Sequence, residues 1–451
     1  MVRARPEVNA QFRIRGPATR EGRVWNYDPV TSARSRSRVT WVCGRRGGPT
    51  TEVSDGWQAV SFRFETAARI VFGRGRLDEI GKLIGEHGRS ALVVSNADRS
   101  GEQGLMARIE KLAAAESVTV DTFWIRGEPE TGDVDRGLEA ARRIDAEVIV
   151  GIGGGSAIDA AKAMAGLMTN EGSCLDYMEV IGAGRPIRVP PLPWIAVPTT
   201  AGTGAEVTRN AVVGSKEHAY KASIRSPMLL ARVALVDPEI GVSVPPAVTA
   251  RTGMDALTQC IESYTSNGAN PMTDPLALDG VARAGRSLRR AVENGDDLDA
   301  REDMALAALI SGITLTNAGL GAVHGLAAPL GARFPVPHGA VCAALLPHVM
   351  KANIGALRVE NPGHPVLRRY SEVGRLLTGR HDLSVGDAAD VGIEVAANLA
   401  RDLEIPGLGV LGVEEDGIDG VVEMARKASS MKFNPVPLSQ ETLVEIVRKA
   451  L

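Results

Sequence analysis

The stretch EVIVGIGGGSAIDAAKAMAG, from Glu147 to Gly166, decides the fold. Its first part, Val148 to Ile152, is an apolar and largely β-branched run, which is typical of a strand buried on both faces, and a helical period begins at Ser156. Three glycines, Gly153 to Gly155, lie between the two elements, so the backbone can take positive φ and approach a ligand closely. The following helix would point its free N–H groups and the positive end of its dipole at the same place.

Two interpretations of this segment remain open from the glycines alone. An ordinary strand-to-helix turn often contains consecutive glycines, whereas a phosphate cradle needs them for close approach. Ser156 adds a hydroxyl at the start of the helix, and Asp159 and Lys162 add charges within its first two turns. These polar residues favour the cradle.

Strands alternate with helices on both sides of this stretch up to Asp237. The predicted strands are 69–72, 90–96, 119–123 and 194–198, and the predicted helices are 77–87, 102–115 and 133–144. This alternation predicts a parallel α/β sheet covered on both faces. Helical patterns then continue to the end, at 248–265, 275–293, 302–318, 341–354, 365–377, 384–403 and 440–450. We therefore expect an α/β dinucleotide-binding domain at 58–236 and an all-α metal and substrate domain at 237–451.

Composition narrows the range of partners. The chain has 451 residues, 44% of them hydrophobic, and a net charge of -3, so it can bury a large core and has no general attraction for nucleic acid. No apolar run approaches the length of a membrane span, so no membrane partner is expected. The four cysteines, Cys43, Cys174, Cys260 and Cys342, have no metal-site spacing, which predicts structural thiols in a reducing cytoplasm.

Residues 1–57 differ from the rest of the chain. They are rich in Arg and Ser and have no helical or strand period. A transit peptide would share that composition, but acidic residues such as Glu7, Glu21 and Asp28 argue against it. Disorder, or sequence translated ahead of the natural start, is the favoured interpretation of this segment.

Two motifs resemble one enzyme family. GGGSAIDAAK resembles the GGGSxxDxxK element of the iron-containing (group III) alcohol dehydrogenases, whose nearest relatives by fold are glycerol dehydrogenase and dehydroquinate synthase. TTAGTGAEVTRN, at residues 199–210, resembles the PTTAGT(A/G)xE element of the same family. The resemblance covers nearly all of residues 62–451, and it implies a dinucleotide-binding α/β domain followed by a helical metal-binding domain.

The resemblance implies a nicotinamide dinucleotide in the cleft between the two domains. NAD is the favoured cofactor, and NADP remains an alternative. Asn96, at the end of the second strand, neither repels nor requires the 2'-phosphate of NADP. Asp98 and Arg99 follow it in the sequence. The residues expected to contact the cofactor are Asn96, Gly153, Gly154, Gly155, Ser156, Asp159, Thr199, Thr200, Thr203, Asn210 and Lys221.

The resemblance also implies a divalent metal, Fe(II) in preference to Zn(II), bound by Asp255, Gln259, His324 and His338. The two histidines are interpreted as lying in glycine-flanked loops. Gln259 stands where the family usually has histidine, and its neutral amide oxygen is a weaker donor. Asp255, His324 and His338 still form a 2-His-1-carboxylate set, and the alternative is a decayed, hydrogen-bonded polar cluster.

The expected function is therefore interconversion of an alcohol and an aldehyde or ketone, with the metal polarising the substrate oxygen. The alternatives are a metal-independent maleylacetate reductase and a noncatalytic nucleotide-binding relative. Ala328 replaces a histidine that is thought to move the hydroxyl proton in many members, so no catalytic base is assigned. His348 is interpreted as a structural helix residue. The resemblance further implies a small-molecule substrate and a homodimer.

Overall fold

The structure is a computed structural model that describes residues 60–96, 102–218 and 220–451. The predicted extension at 1–57 lies outside these residues, as do Asp98 and Arg99. Arg63–Leu451 forms one compact unit that contains all the described strands and helices. The predicted division at 236 and 237 into two domains stays a prediction.

A parallel sheet forms the centre of the first half. The strands of the described residues are β1 (Ile70–Phe72), β2 (Ser90–Asn96), β3 (Thr119–Ile125), β4 (Val148–Gly153), β5 (Trp194–Pro198), β6 (Asn210–Ser215), β7 (Tyr220–Arg225) and β8 (Val233–Val236). Six of them form a sheet in the order β1-β8-β5-β4-β2-β3, and every pair is parallel. The carboxyl ends of β2, β4 and β5 therefore meet at one edge.

Helices cover both faces of this sheet. They are α1 (Ile80–Gly85), α2 (Glu102–Ala115), α3 (Thr131–Arg143), α4 (Gly155–Met168) and the single turn α5 (Cys174–Tyr177). All six residues of β4 are buried, because Ile149 packs on the α4 side while Val148 and Val150 pack on the α2 side. Burial on both faces explains the continuous apolar run in the sequence.

An antiparallel hairpin follows the sheet edge. No strand is predicted between Asn210 and Asp237, but β6 and β7 pair there and β8 joins the main sheet. The hairpin packs beside α4, where Val212 donates its N–H to Asp159 at 3.1 Å. The hairpin strands, NAVVGS and YKASIR, mix polar and apolar residues, so periodicity alone does not separate them from loop.

The second half is helical. Its helices are α6 (Pro246–Thr265), α7 (Thr273–Glu293), α8 (Leu298–Ala318), α9 (Ala322–Arg333), α10 (His338–Glu360), α11 (Pro365–Thr378), α12 (Val385–Asp402), α13 (Ile418–Ala425) and α14 (Gln440–Lys449). They share one apolar core, in which α6 packs against α7, α8 and α10. Short 3-10 turns occur at Arg76–Glu79, Ala205–Val207, Pro227–Leu229, Pro238–Gly241, Glu415–Gly417 and Ser429–Phe433.

The two histidines predicted in loops lie on helices. His324 is in α9, a helix that the sequence analysis does not predict, and His338 is the first residue of α10, which begins three residues before its predicted start. Pro329 inside α9 and the surrounding glycines produce a loop-like pattern. Both side chains are therefore held on rigid elements.

One described helix meets the length and composition of a membrane span, contrary to the expectation that no apolar run approaches it. This helix is α10, and 67% of its most apolar window is buried inside the protein. The consecutive helices α8 and α9 pass the same test only as a pair and are bent by 102°. Burial against neighbouring helices is typical of the core helix of a globular protein.

Candidate active site

The glycines after β4 form a tightly packed turn with one open position. Gly153 has φ +143°, and a Cβ there would lie 2.5 Å from Oδ1 of Asn96. A Cβ at Gly155 would lie 2.9 Å from Oγ1 of Thr203. A Cβ at Gly154 would meet nothing closer than Oγ1 of Thr200, at 3.5 Å. Gly153 and Gly155 are thus required for packing, while Gly154 faces space in which a ligand can approach.

The polar loop after β5 lies against this turn. Thr199 donates its backbone N–H to the carbonyl of Gly153 at 2.8 Å, and Thr200 and Thr203 lie beside Gly154 and Gly155. Asn96 reaches the same place from the end of β2. The structure thus brings most of the residues predicted to bind the cofactor to one sheet edge.

The amino end of α4 opens onto this edge. Gly154 is its N-cap residue and has no side chain, and no capping side-chain hydrogen bond forms here among the described residues. Ser156 is the second residue of the helix, so its N–H belongs to the first turn, which lacks helical partners. Such a helix start is suited to an anionic group.

Asp159 and Lys162 instead face into the protein. Nζ of the fully buried Lys162 donates to the carbonyls of Ala205 (2.8 Å) and Asn210 (2.7 Å), and to Oγ1 of Thr208 (2.8 Å). Asp159 lies 3.4 Å from that Nζ. Burial raises the pKa of Asp159 and lowers that of Lys162, while each group partly offsets the effect on the other. Contact of Asp159 or Asn210 with a cofactor stays a prediction.

Lys221 lies apart from the glycine turn, on β7. Its Nζ forms an ion pair with Glu128 and faces α9, because a Cβ at Gly331 would lie 3.7 Å from it. Its predicted contact with the cofactor is not tested by these contacts.

A cluster of metal-ligating side chains lies where α6, α9 and α10 meet. Nε2 of His324 is 3.2 Å from Oδ1 of Asp255, and Nε2 of His338 is 3.7 Å from the same oxygen. The Sγ of Cys342 lies 3.7 Å from Nε2 of His324 and 3.6 Å from Nε2 of His338. The donor atoms of all four residues lie within 4.8 Å of one another. The arrangement can hold a divalent ion.

Glu262 orients His324 within this cluster. It lies on α6, seven residues after Asp255, and its Oε2 lies 2.6 Å from Nδ1 of His324. Its other oxygen accepts the backbone N–H of Val323 at 2.7 Å. Pairing at Nδ1 directs Nε2 toward Asp255, as carboxylates do for metal-binding histidines.

Gln259 lies one turn after Asp255 on α6 and is buried. Its amide donates a hydrogen bond to the carboxylate of Asp255. Its Oε1 is buried and has no hydrogen-bond partner among the described residues. A buried acceptor without a partner costs about 1–3 kcal/mol, so this atom fits a site that receives a cation, a water or a substrate hydroxyl.

Charge in the cluster favours a bound cation. Cys342 and Asp255 raise the pKa of His338 to about 9 against the effect of burial. Burial lowers the pKa of His324, but Cys342, Asp255 and Glu262 raise it well above its usual value. Burial raises the pKa of Asp255, and the two histidines hold it below its usual range. The carboxylates and the thiol thus attract positive charge to this point.

Direct packing connects the cluster to the glycine turn. A Cβ at Gly202 would lie 2.7 Å from Cβ of Thr252, which is one turn before Asp255 on α6. Gly204 packs against the backbone of Gly312 in α8, where a Cβ would lie 2.4 Å from Cα. The loop beside the glycine turn therefore packs against α6, the helix that carries Asp255.

Comparison with known proteins gives the family. The sequence model of the iron-containing alcohol dehydrogenases matches residues 67–238, and that of the C-terminal part of the Fe-containing alcohol dehydrogenase family matches residues 249–451. The 1,3-propanediol dehydrogenase of Citrobacter freundii is 35% identical over 386 residues, which are 84% of this chain and 96% of that protein. The chain belongs to the iron-containing alcohol dehydrogenase family.

Other relatives agree with this family. Alcohol dehydrogenase 4 of Schizosaccharomyces pombe is 34% identical over 84% of this chain and 87% of that protein. A crystal structure of 1,3-propanediol oxidoreductase has a TM-score of 0.80 at 34% identity, covering 87% of this chain and all of that chain. A sulfoacetaldehyde reductase from Bifidobacterium kashiwanohense, in complex with NAD+, has a TM-score of 0.76 at 29% identity and covers 87% of this chain and 99% of that chain.

The comparisons confirm the predicted family, the fold class and the reaction class. The protein is an iron-containing type of alcohol dehydrogenase, an oxidoreductase that interconverts an alcohol and an aldehyde or ketone. They also support NAD and a metal as cofactors and a small molecule as substrate.

Two residues of the cluster in this alcohol dehydrogenase, Glu262 and Cys342, are not predicted from the sequence. Glu262 continues the helix face of Asp255 and Gln259, and that spacing was the available signal. Cys342 was predicted to be a structural thiol, but it lies one turn after His338 on α10 and faces both histidines. Its four-residue spacing from a candidate ligand was the signal that went unused.

Ala328 and His348, the two remaining positions discussed from the sequence, both lie on helices. Ala328 is exposed on α9, one turn after His324, so no histidine faces the site from this position. His348 lies in α10 and is half-buried, and burial lowers its pKa.

Proposed function

We propose that this alcohol dehydrogenase binds NAD at the glycine turn and a divalent metal at Asp255, His324 and His338, and acts on small primary alcohols and their aldehydes. The observation that carries the proposal is the packing of the threonine loop between the glycine turn and α6. This packing connects the place where a dinucleotide fits with the cluster where a metal fits.

The first part of the chain would bind and orient the dinucleotide. The first-turn N–H groups of α4 and the open face of Gly154 suit the pyrophosphate, since no Cβ stands in its way. Thr199, Thr200 and Thr203 offer hydroxyl groups along the same edge for phosphate and ribose. Bound NAD supplies the acceptor for hydride.

Selection between the two dinucleotides would depend on Asn96. Its amide lies against Gly153 at the end of β2, and it carries no charge to repel a 2'-phosphate. We propose NAD as the preferred cofactor and NADP as the alternative. Comparing kcat/KM for the two cofactors would decide between them.

The second part of the chain would hold the metal. Fe(II) is the ion that the sequence resemblance favours, and Zn(II) is the alternative. A bound divalent ion supplies a Lewis acid that polarises the substrate oxygen and makes the hydroxyl easier to deprotonate. Asp255 and His324 are almost fully buried, whereas the side chain of His338 is 42% exposed, so substrate would enter beside His338. The resemblance places Gln259 as the fourth ligand.

The hydroxyl proton would leave by a route that uses no histidine at position 328. Ala328 cannot accept a proton, and the exposed side of His338 opens the cluster to solvent. Water or a ribose hydroxyl of the cofactor would then carry the proton away. No protein group is assigned as catalytic base.

The experiment is a substrate panel. Purified protein is assayed for NAD-dependent oxidation of short primary alcohols and diols, and for NADH-dependent reduction of the matching aldehydes and of maleylacetate, with NADP(H) run in parallel. Turnover of alcohols and aldehydes supports the proposal. Turnover of maleylacetate alone would move the function to the reductase alternative, and NADH binding without any turnover would support a noncatalytic protein.

We propose the assembly from the family resemblance and the location from the cysteine pattern. A homodimer in the cytoplasm is the expectation, and light scattering on the purified protein would give the oligomeric state directly.

A further inference from the structure

We propose that the thiolate of Cys342, in place of the amide of Gln259, is the fourth protein ligand of the metal, and that the resulting set selects zinc over iron. The inference rests on the proposed function, because it names the ligands and the ion of the same metal site.

The distances between donor atoms fit a tetrahedral zinc site. Bonds of about 2.0–2.1 Å to nitrogen or oxygen and about 2.3 Å to sulfur place N and O donors about 3.3 Å apart, and N and S donors about 3.6 Å apart. The thiol of Cys342 lies 3.7 and 3.6 Å from the two imidazole nitrogens, and Oδ1 of Asp255 lies 3.2 and 3.7 Å from them. These four distances are close to the spacing of ligands around one ion, and all the donor atoms lie within 4.8 Å of one another.

Rigid elements hold this geometry. His338 and Cys342 are four residues apart on α10, so both side chains project from one face of the helix. His324 is oriented from the neighbouring α9 by Glu262, and Cys342 is fully buried. The thiol therefore needs little movement to bind an ion.

The other described cysteines lie in different surroundings. Cys260 is buried on α6 with its Sγ 3.9 Å from the carbonyl of Ala307, and burial raises its pKa. Cys174 is buried in α5, where burial and Asp135 raise its pKa to about 12. These two thiols are not in contact with the metal-ligating cluster, and they have the environment of inert, structural cysteines.

Ligand chemistry favours the thiolate over the amide. A thiolate is an anionic and soft donor, whereas the amide oxygen of Gln259 is neutral and hard. Thiolate with imidazole is a donor set typical of zinc. Cys342 is fully buried, so its sulfur would bind the ion away from solvent.

Gln259 then acts as a positioning residue. Its amide donates a hydrogen bond to Asp255 and holds the carboxylate toward the histidines. Its Oε1, which has no partner among the described residues, is left to accept a hydrogen bond from water or a substrate hydroxyl.

The test is the absorption spectrum of the full chain loaded with Co(II), together with its affinity for Zn(II). A cobalt–thiolate bond gives a sulfur-to-cobalt charge-transfer band in the near ultraviolet, which oxygen and nitrogen ligands do not give. We expect this band in the wild type, in Gln259→Ala and in the control Cys174→Ala, and its loss in Cys342→Ser. Cys342→Ser should weaken Zn(II) binding at least about tenfold. Removing a residue that only hydrogen-bonds to a metal ligand already costs about 10–100-fold in affinity, and removing a ligand should cost no less.

The failures of the two proposals are distinguishable. If the wild type binds stoichiometric cobalt without showing the band, the assignment of Cys342 is overturned and the metal site remains. This result comes from the wild type alone, so it does not depend on whether a variant folds. Absence of cobalt and zinc binding in the wild type would overturn the metal site itself and this inference with it.

Discussion

At the scale of single residues, Gly154 differs from its two neighbours in the glycine turn. Its φ of -75° and ψ of -177° are accessible to any residue, and its Cβ would meet no atom closer than 3.5 Å. We predict that Gly154→Val folds normally but binds NADH more than about tenfold more weakly, a loss of about 1.4 kcal/mol or more, because the branched side chain occupies the space for the pyrophosphate. Fluorescence titration with NADH measures the affinity.

Gly155 provides the matched control for this substitution. A Cβ there would lie 2.9 Å from Thr203, so Gly155→Val should lower the stability of the protein, in contrast to Gly154→Val. Unchanged NADH affinity in a well-folded Gly154→Val variant would show that the cofactor does not lie against this turn.

Glu262 allows a second prediction at this scale. Glu262→Ala removes the carboxylate that fixes Nδ1 of His324, so we expect metal affinity to fall about 10–100-fold. Glu262→Gln keeps an acceptor oxygen without the charge and should lose less. Competition with a metal-binding dye measures both values, and equal affinity in wild type and Glu262→Ala would show that Glu262 does not orient a ligand.

The sequence allowed prediction of those site residues that carry local motifs. The glycine turn and the pair Asp255 and Gln259 are close in sequence, so spacing along one strand end or one helix face identifies them. Glu262 and Cys342 each share a helix face with a candidate ligand, but that spacing alone does not show that they reach the cluster. They reach it because α6, α9 and α10 cross at that point, and packing between distant segments cannot be derived from spacing along one helix.

At the scale of elements, Lys162 connects α4 to the residues that begin the hairpin. Its ammonium group is fully buried and donates to three acceptors between Ala205 and Asn210. We predict that Lys162→Met lowers the free energy of unfolding by about 3–5 kcal/mol, because Asp159 and the two carbonyls lose their buried cation. Urea denaturation measures the loss.

Lys216 is the control for this prediction, because it is exposed after β6. Lys216→Met should change stability by less than about 0.5 kcal/mol. A similarly small effect of Lys162→Met would mean that the buried network contributes little beyond what an apolar side chain provides.

The elements differ in how well the sequence predicted them. The predictions at 90–96, 102–115 and 194–198 coincide with β2, α2 and β5, because each has a long apolar pattern between clear boundaries. The hairpin strands are at least as long as β5, but their sequences, NAVVGS and YKASIR, mix polar and apolar residues and so lack a continuous apolar run. Glycines and Pro329 masked α9, whose helical state is maintained by burial among other helices.

At the scale of the whole molecule, Glu206 couples stability to pH. It is 3% exposed, and burial raises its pKa from 4.5 to about 7. A carboxyl group whose pKa is higher in the folded state contributes stability that is complete below the unfolded pKa and is lost as pH rises through the folded pKa. The wild type should therefore lose up to about 3 kcal/mol between about pH 5 and about pH 9 from this group.

Glu206→Gln isolates this effect, because the amide does not titrate. We predict that the variant, compared with the wild type, gains stability progressively from pH 5 to pH 9, as measured by urea denaturation at both values. Identical pH profiles for the two proteins would show that Glu206 is ionised in the folded state without cost.

At the scale of the whole molecule, the loop at residues 199–204 packs on the glycine turn on one side and on α6 on the other. Thr200 and Thr203 face the glycine turn, and Gly202 packs against Thr252 of α6. If the dinucleotide and the metal bind as we propose, this packing would fix the position of the cofactor relative to the substrate.

The most direct test of the central claim is the rate of NADH-dependent reduction of a short aldehyde, paired with metal content by mass spectrometry, before chelation, after chelation and after metal is restored. The account predicts about one metal ion per chain, loss of activity when it is removed and recovery when it is returned. Full activity in protein shown to contain no metal would contradict the account.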